Sequence, residues 1–149
     1  MSNKEISQEA LQLLAQYEQL KGLVTALANE LEKQKLTLED INVTLKELEK
    51  LEGKKEGLVP LGVVLSKAEI SDEVLVPIGA NYYVSMKAKD AIEKVKELKK
   101  IYEENVKNTE KNLNELLAAL SAIEGKLVDL QRGAQSAGKA EEGAKESSK

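Results

Sequence analysis

Apolar residues recur along the first fifty positions in alternating steps of four and three. Assigning heptad position d to Ile6, Leu13, Leu20, Leu27, Gln34, Ile41 and Leu48 places Ala10, Tyr17, Val24, Leu31, Leu38 and Leu45 at position a. Twelve of these thirteen positions are apolar, and a seven-residue repeat held this long predicts a left-handed coiled coil. The far end of the chain repeats the pattern. Position a is Ile92, Lys99, Val106, Leu113, Leu120 and Leu127, and position d is Val95, Tyr102, Thr109, Leu116, Ile123 and Leu130, ten of the twelve apolar. Two seams of matching length predict one helix running out and a second running back, each arm roughly 65 Å long at 1.5 Å per residue. Gln34, Lys99 and Thr109 interrupt the seams; they either fix register or are tolerated defects.

Composition agrees. The chain has no Phe, Trp, Cys or His, and four Tyr are its only aromatics, where a compact core would bury several large rings. Pairs such as Glu93–Lys96, Glu97–Lys100, Asp90–Lys94 and Glu103–Lys107 lie at helical spacing and read as a solvated flank.

Between the seams the period changes. Gly53 stops the first helix, and LVPLG, VVLSKAEI, VLVPIG and NYYVSM follow, rich in Val, Leu, Ile and Tyr. Gly62, Ser71-Asp72-Glu73 and Gly79-Ala80-Asn81 are turn signals, so the segment reads as two β-hairpins. The predicted fold class is α+β. A coiled-coil helix covers 1–53, two hairpins 54–86, a second coiled-coil helix 87–132, and a disordered tail the Gly-, Ser-, Lys- and Glu-rich stretch 133–149.

Some thirty residues of hairpin are marginal alone, and no Cys or His supplies a disulfide or zinc site. The arms are expected to spend their apolar stripes on each other. The strands must then bury themselves against other subunits, through Val59, Pro60, Leu61, Val63, Leu65, Val74, Val76, Pro77, Ile78, Tyr82 and Val84. Pro60 and Pro77, the only prolines, sit in the matched pentapeptides LVPLG and LVPIG and are expected to limit which edges pair.

Little else carries chemistry. Without His or Cys, carboxylate pairs such as Glu103-Glu104 lack a partner to tune them, so no catalytic residue, cofactor or metal is expected. Gly57–Gly62 matches half a phosphate loop, but Val63-Val64 stands where Lys-Ser/Thr is required. A net charge of −4 with interspersed signs argues against nucleic acid, and no apolar run approaches the ~20 residues that span a bilayer. The polar start MSNKEISQEA carries no signal-peptide pattern, which fits a cytoplasmic protein.

The combination of two long heptad helices with Val59-Pro60-Leu61-Gly62, Val74-Leu75-Val76-Pro77-Ile78-Gly79 and Tyr82-Tyr83-Val84 between them closely resembles alpha-class prefoldin of the archaeal type over residues 5–132. Two hairpins fit that class, whereas the beta class carries one. Ser85 departs from the acidic residue the family often has there. The resemblance implies an ATP-independent co-chaperone: a hexamer of two alpha and four beta subunits whose hairpins build a double β-barrel. Its coiled coils would capture unfolded polypeptides and deliver them to a group II chaperonin. Relatives of the gamma type form filaments, so stoichiometry stays open. The implied client site is the tip of the arm, where Leu11, Leu14, Leu117 and Val128 lie off the seam and fraying would expose Ile6, Leu13, Leu127 and Leu130. The residues alone equally allow a structural or filament-forming coiled coil that binds no client.

Overall fold

A computed structural model of the chain describes residues 3–51, 53 and 55–147, with side-chain surroundings for 8–51, 53 and 55–133. The elements follow in the order α1 (Asn3–Lys50), β1 (Lys55–Leu61), β2 (Val64–Ile70), β3 (Glu73–Gly79), β4 (Tyr82–Lys87) and α2 (Ala88–Ser147). Helix α1 ends at Lys50, three residues before the predicted stop; Gly53 then turns the chain with a left-handed φ of 72°. The strands cover 55–87, one residue beyond the predicted segment. Helix α2 differs more, running to Ser147 across the stretch expected to be disordered. That stretch has no Pro and is dominated by Ala, Lys and Glu, good helix formers, while each Gly costs only about 1 kcal/mol.

By its contacts the chain divides into two units, residues 32–107 and residues 1–31 with 108–149. In the first, β1 pairs with β2 and β3 with β4 as separate antiparallel sheets. The β1–β2 turn is Gly62-Val63, with Gly62 at φ 68° at the first central position, as a two-residue type II′ hairpin requires. Ala80 (φ 51°) and Asn81 (φ 63°) join β3 to β4, both left-handed, as type I′ requires. Asn accepts that region readily; Ala does not. Next to the turn Ile78 is an extra residue between the Pro77↔Tyr83 and Gly79↔Tyr82 pairs, a β-bulge closed by Gly79 at φ 108°. The start of α2 is tied down by the Ala88 N–H, which donates to the Asp72 carbonyl at 2.6 Å.

The core of this unit is small: Ile41, Leu48, Ala88, Ala91 and Val95. Val74, Val76 and Met86 pack against it from the inner face of the β3–β4 hairpin. This corrects the expectation that the arms leave both hairpins uncovered. The reason lies in the heptads. Leu51 and Ala91 fall at position g, widening the stripe beyond the seam where the hairpin lies, and Ala91 has no exposed surface.

The second unit is coiled coil. Among the residues whose surroundings are described, every a and d position from Ala10 to Leu31 and from Thr109 to Leu130 is half-buried or buried. Nearly all flanking positions are exposed, as a two-helix seam dictates. The Tyr17 hydroxyl donates to Glu124 Oε1 at 3.1 Å, fixing an antiparallel register that carries residues 8–14 alongside 127–133. That hydrogen bond, with the repulsion Glu124 would exert on a phenolate, raises the Tyr17 pKa above its ordinary value. Helix threonines are satisfied locally: the hydroxyls of Thr25, Thr37 and Thr44 each donate to the carbonyl four residues earlier.

These features set three expectations. Ala80→Gly relieves a left-handed Ala and raises stability by about 0.5–1 kcal/mol, read as a higher midpoint of thermal unfolding at fixed concentration. Ile41→Ala costs about 2–4 kcal/mol, because its 6% exposure leaves a cavity, whereas Leu23→Ala at 49% exposure stays within about 0.5 kcal/mol; urea unfolding separates them. In the absorbance difference between the parent and Tyr17→Phe, the Tyr17 phenolate forms above pH 10, and Glu124→Gln brings it back toward that value. The raised folded-state value means that the bond stabilises the unit at neutral pH and is lost only as pH climbs through it.

Candidate functional site

Two kinds of surface are left apolar by this packing, the hairpins and the outer faces of the helices. In the β1–β2 hairpin, alternation places Val59, Leu61, Val64 and Ile70 on one face and Leu58, Pro60 and Leu65 on the other. All seven are exposed, and none joins the buried cluster. Val63 stands fully exposed at the turn. In the β3–β4 hairpin the inner face carries Val74, Val76 and Met86, while Leu75, Pro77 and Tyr83 project from the outer one. Ile78 and Tyr82 are exposed near the turn, and Leu75 at 68% is as open as a surface lysine.

The predicted interface set is therefore split. Val59, Pro60, Leu61, Val63, Leu65, Pro77, Ile78, Tyr82 and Val84 are available to another chain; Val74 and Val76 are largely spent on the arm of their own. Leu58, Val64, Leu75 and Tyr83 belong with the exposed group and were missed. The signal was present, since apolar residues at consecutive strand positions occupy both faces of a hairpin.

An open apolar groove of about 540 Å³ lies between the β3–β4 hairpin and the helices, lined by Ile41, Thr44, Val76, Pro77, Ile78, Val84, Met86, Lys94, Val95 and Leu98. Leu98 stands at position g, two turns from Ala91 and one from Val95, on the widened stripe along which this groove runs.

On the helices, Leu11 is 63% exposed, Leu14 48%, Leu117 43% and Val128 44%, all at positions b or e beside the seam. Leu36 and Val43 elsewhere are as open, so exposure alone does not single out the tip. Leu13, Leu127 and Leu130 are half-buried in the seam, and the side chain of Ile6 lies outside the described residues. Charge is spread along the flanks in exposed i,i+3 or i,i+4 pairs, such as Lys94–Glu97 at 3.7 Å and Lys99–Glu103 at 3.9 Å, each contributing little. No group of three or more acidic, His or Cys side chains among the described residues is placed to hold a metal ion. None of the described helices is long and apolar enough to cross a membrane. The arrangement is thus one of apolar surfaces and unpaired strand edges, suited to binding polypeptide.

Curated protein sequences return no match. Among solved structures, the chain is similar to one from filamentous PFD of Methanocaldococcus jannaschii, at 24% identity and a TM-score of 0.45, covering 80% of this chain and 98% of that one. The family model described as "Prefoldin subunit" matches residues 6–133, nearly the whole of the two helices and both hairpins. Two heptad helices joined by two β-hairpins, in a chain matched over that span, belong to the prefoldin family.

Proposed function

We propose that this prefoldin-type chaperone subunit is of the alpha class and captures unfolded polypeptides at the tips of its helices without ATP. The observation that carries this reading is the set of off-seam leucines and valine at one end of the coiled coil. Leu11, Leu14, Leu117 and Val128 lie beside the seam and keep roughly half their surface in water. Each contact is weak, and several subunits acting together would multiply them through effective concentration. Fraying of the last turns would add Ile6, Leu13, Leu127 and Leu130.

The hairpins supply the assembly. Their uncovered faces and free edges suit joining with beta-class subunits, in a hexamer of two alpha and four beta chains around a shared β-barrel. Delivery of the client to a group II chaperonin, in the cytoplasm, completes the reading. The family's role is non-enzymatic, and no cofactor is invoked.

The test uses the full chain reconstituted with a beta-class subunit and a chemically denatured client. Aggregation, followed by light scattering without ATP, should be suppressed. Replacing Leu11, Leu14, Leu117 and Val128 together by Ser should remove most of that protection, while native mass shows the complex still assembled. Equal protection by the substituted complex would move the client site away from the tip. An intact complex that protects nothing would leave a structural coiled-coil assembly, with or without filaments.

A further inference from the structure

The seam of the second unit changes character at one bond. Every seam position from Leu20 to Leu31 and from Leu113 to Ile123 is Leu, Val or Ile, and each is half-buried. From Tyr17 toward the tip, the seam positions of known surroundings are Leu13, Leu127, Leu130 and the small Ala10, so less apolar surface holds the helices together. Both helices are also weakened near the bond. Gly125 follows Glu124 directly, and Gly22 lies five residues from Tyr17. A Cβ added at either glycine meets no atom within 4 Å, so no close approach of the helices requires them. Their effect is on the backbone alone, since glycine inside a helix leaves the chain freer to unfold.

Between these weak points the Tyr17 hydroxyl donates to Glu124 Oε1 at 3.1 Å, crossing from position a of α1 to position e of α2. Lys21, one turn along α1, places its ammonium group 6.0 Å from the centre of the Tyr17 ring. Apolar contact along a seam weakens gradually as helices part, whereas a hydrogen bond is lost within a fraction of an ångström beyond its limit. The bond therefore puts a step into an otherwise gradual opening.

We propose that the Tyr17–Glu124 bond is a latch that sets how far the coiled coil opens to a client: residues 8–16 part from 125–133, and the seam from Leu20 and Ile123 inward stays shut. This rests on the reading that the tip captures unfolded chains, and it names the residues that limit the surface offered. With the latch closed, a client meets Leu13, Leu127 and Leu130 together with the off-seam Leu11, Leu14 and Val128. The inner seam stays paired, so capture does not pry the arm apart. One bond at the solvent edge is weak, and it acts as a boundary because Gly22 and Gly125 leave the helices around it easily opened.

Hydrogen exchange of the full chain, reconstituted with a beta-class subunit and measured with and without a denatured client, tests the latch. Tyr17→Phe keeps the ring in the seam and removes only the hydroxyl. It should raise amide exchange about fivefold at 17–24 and 117–124, the population change that one hydrogen bond of ordinary strength makes, and leave 26–31 and 110–115 at the parent's rate. Glu124→Gln retains an accepting oxygen and should stay closer to the parent than to Tyr17→Phe. Glu124→Ala should match Tyr17→Phe, and the two combined should add nothing further. Bound client should slow exchange at 8–16 and 125–133 in the parent, and at 17–24 and 117–124 as well in Tyr17→Phe. Unchanged exchange in Tyr17→Phe, Gln at 124 acting as Ala does, or effects that add would overturn the latch. A client that protects the same tip residues in the parent and in Tyr17→Phe overturns the latch alone. A boundary that moves in Tyr17→Phe while the client protects no tip residue in either chain overturns the client reading and leaves the latch.

Discussion

Everything in this chain follows from how little a two-helix seam can bury. An antiparallel pair of helices covers one stripe on each, so seam residues are mostly half-buried rather than enclosed. The buried set of the hairpin-bearing unit reduces to Ile41, Leu48, Ala88, Ala91 and Val95, and Ala91, with no exposed surface, carries a single methyl group. A core this thin has no capacity left for four strands. The β3–β4 hairpin gains cover on one face because Leu51 and Ala91 widen the stripe beneath it; the β1–β2 hairpin gains none. Exposed apolar strand surface is thus a consequence of the architecture, and assembly is its physical remedy.

Much of this was legible in the sequence, for identifiable reasons. A seven-residue period is a geometric demand, and every a and d position of known surroundings lies inward, including polar Gln34, Lys99 and Thr109. Turns were legible because left-handed φ at Gly62, Asn81 and Gly79 needs residues that tolerate it. Ala80 was readable only through its neighbours. What stayed hidden was tertiary. Alternation says that Val74 and Leu75 face opposite ways, but not which face meets the helices. The g-position stripe at Leu51, Ala91 and Leu98 held that answer, and reading only a and d overlooks it. In the stretch after Gly133, Ala, Lys and Glu fit a helix as well as a solvated coil, and α2 runs on through it to Ser147.

At the candidate site the exposed positions beside the seam were readable as heptad letters, because b and e lie off the a/d stripe that packs against the partner helix. Their purpose was not, since Leu36 and Val43 share the same exposure without sharing the tip. The strand edges are different in kind. Their open groups follow from register, and register needed the observed pairs Leu61↔Val64 and Gly79↔Tyr82 before the prolines could be assigned to an edge.

That difference bears on selectivity. A residue such as Leu11 sits on a helix whose backbone donors and acceptors are already used within α1, so it offers a partner only non-directional apolar contact. Such contact accepts any sequence that exposes hydrophobic groups, which is the property a client site for unfolded chains requires. A β2 or β4 edge offers a row of aligned backbone groups at fixed spacing, and it rewards only a strand of matching register and charge. One chain therefore carries a permissive surface and a selective one, separated by secondary structure. Proline can close an edge without touching the hairpin because non-bonded positions have no internal bond to lose. No equivalent device exists on the helices, where proline in the interior would break the element itself. The chain places both of its prolines in strands, each in the first pair beyond the closing one, a non-bonded position where removing a donor alters only what another chain could bind.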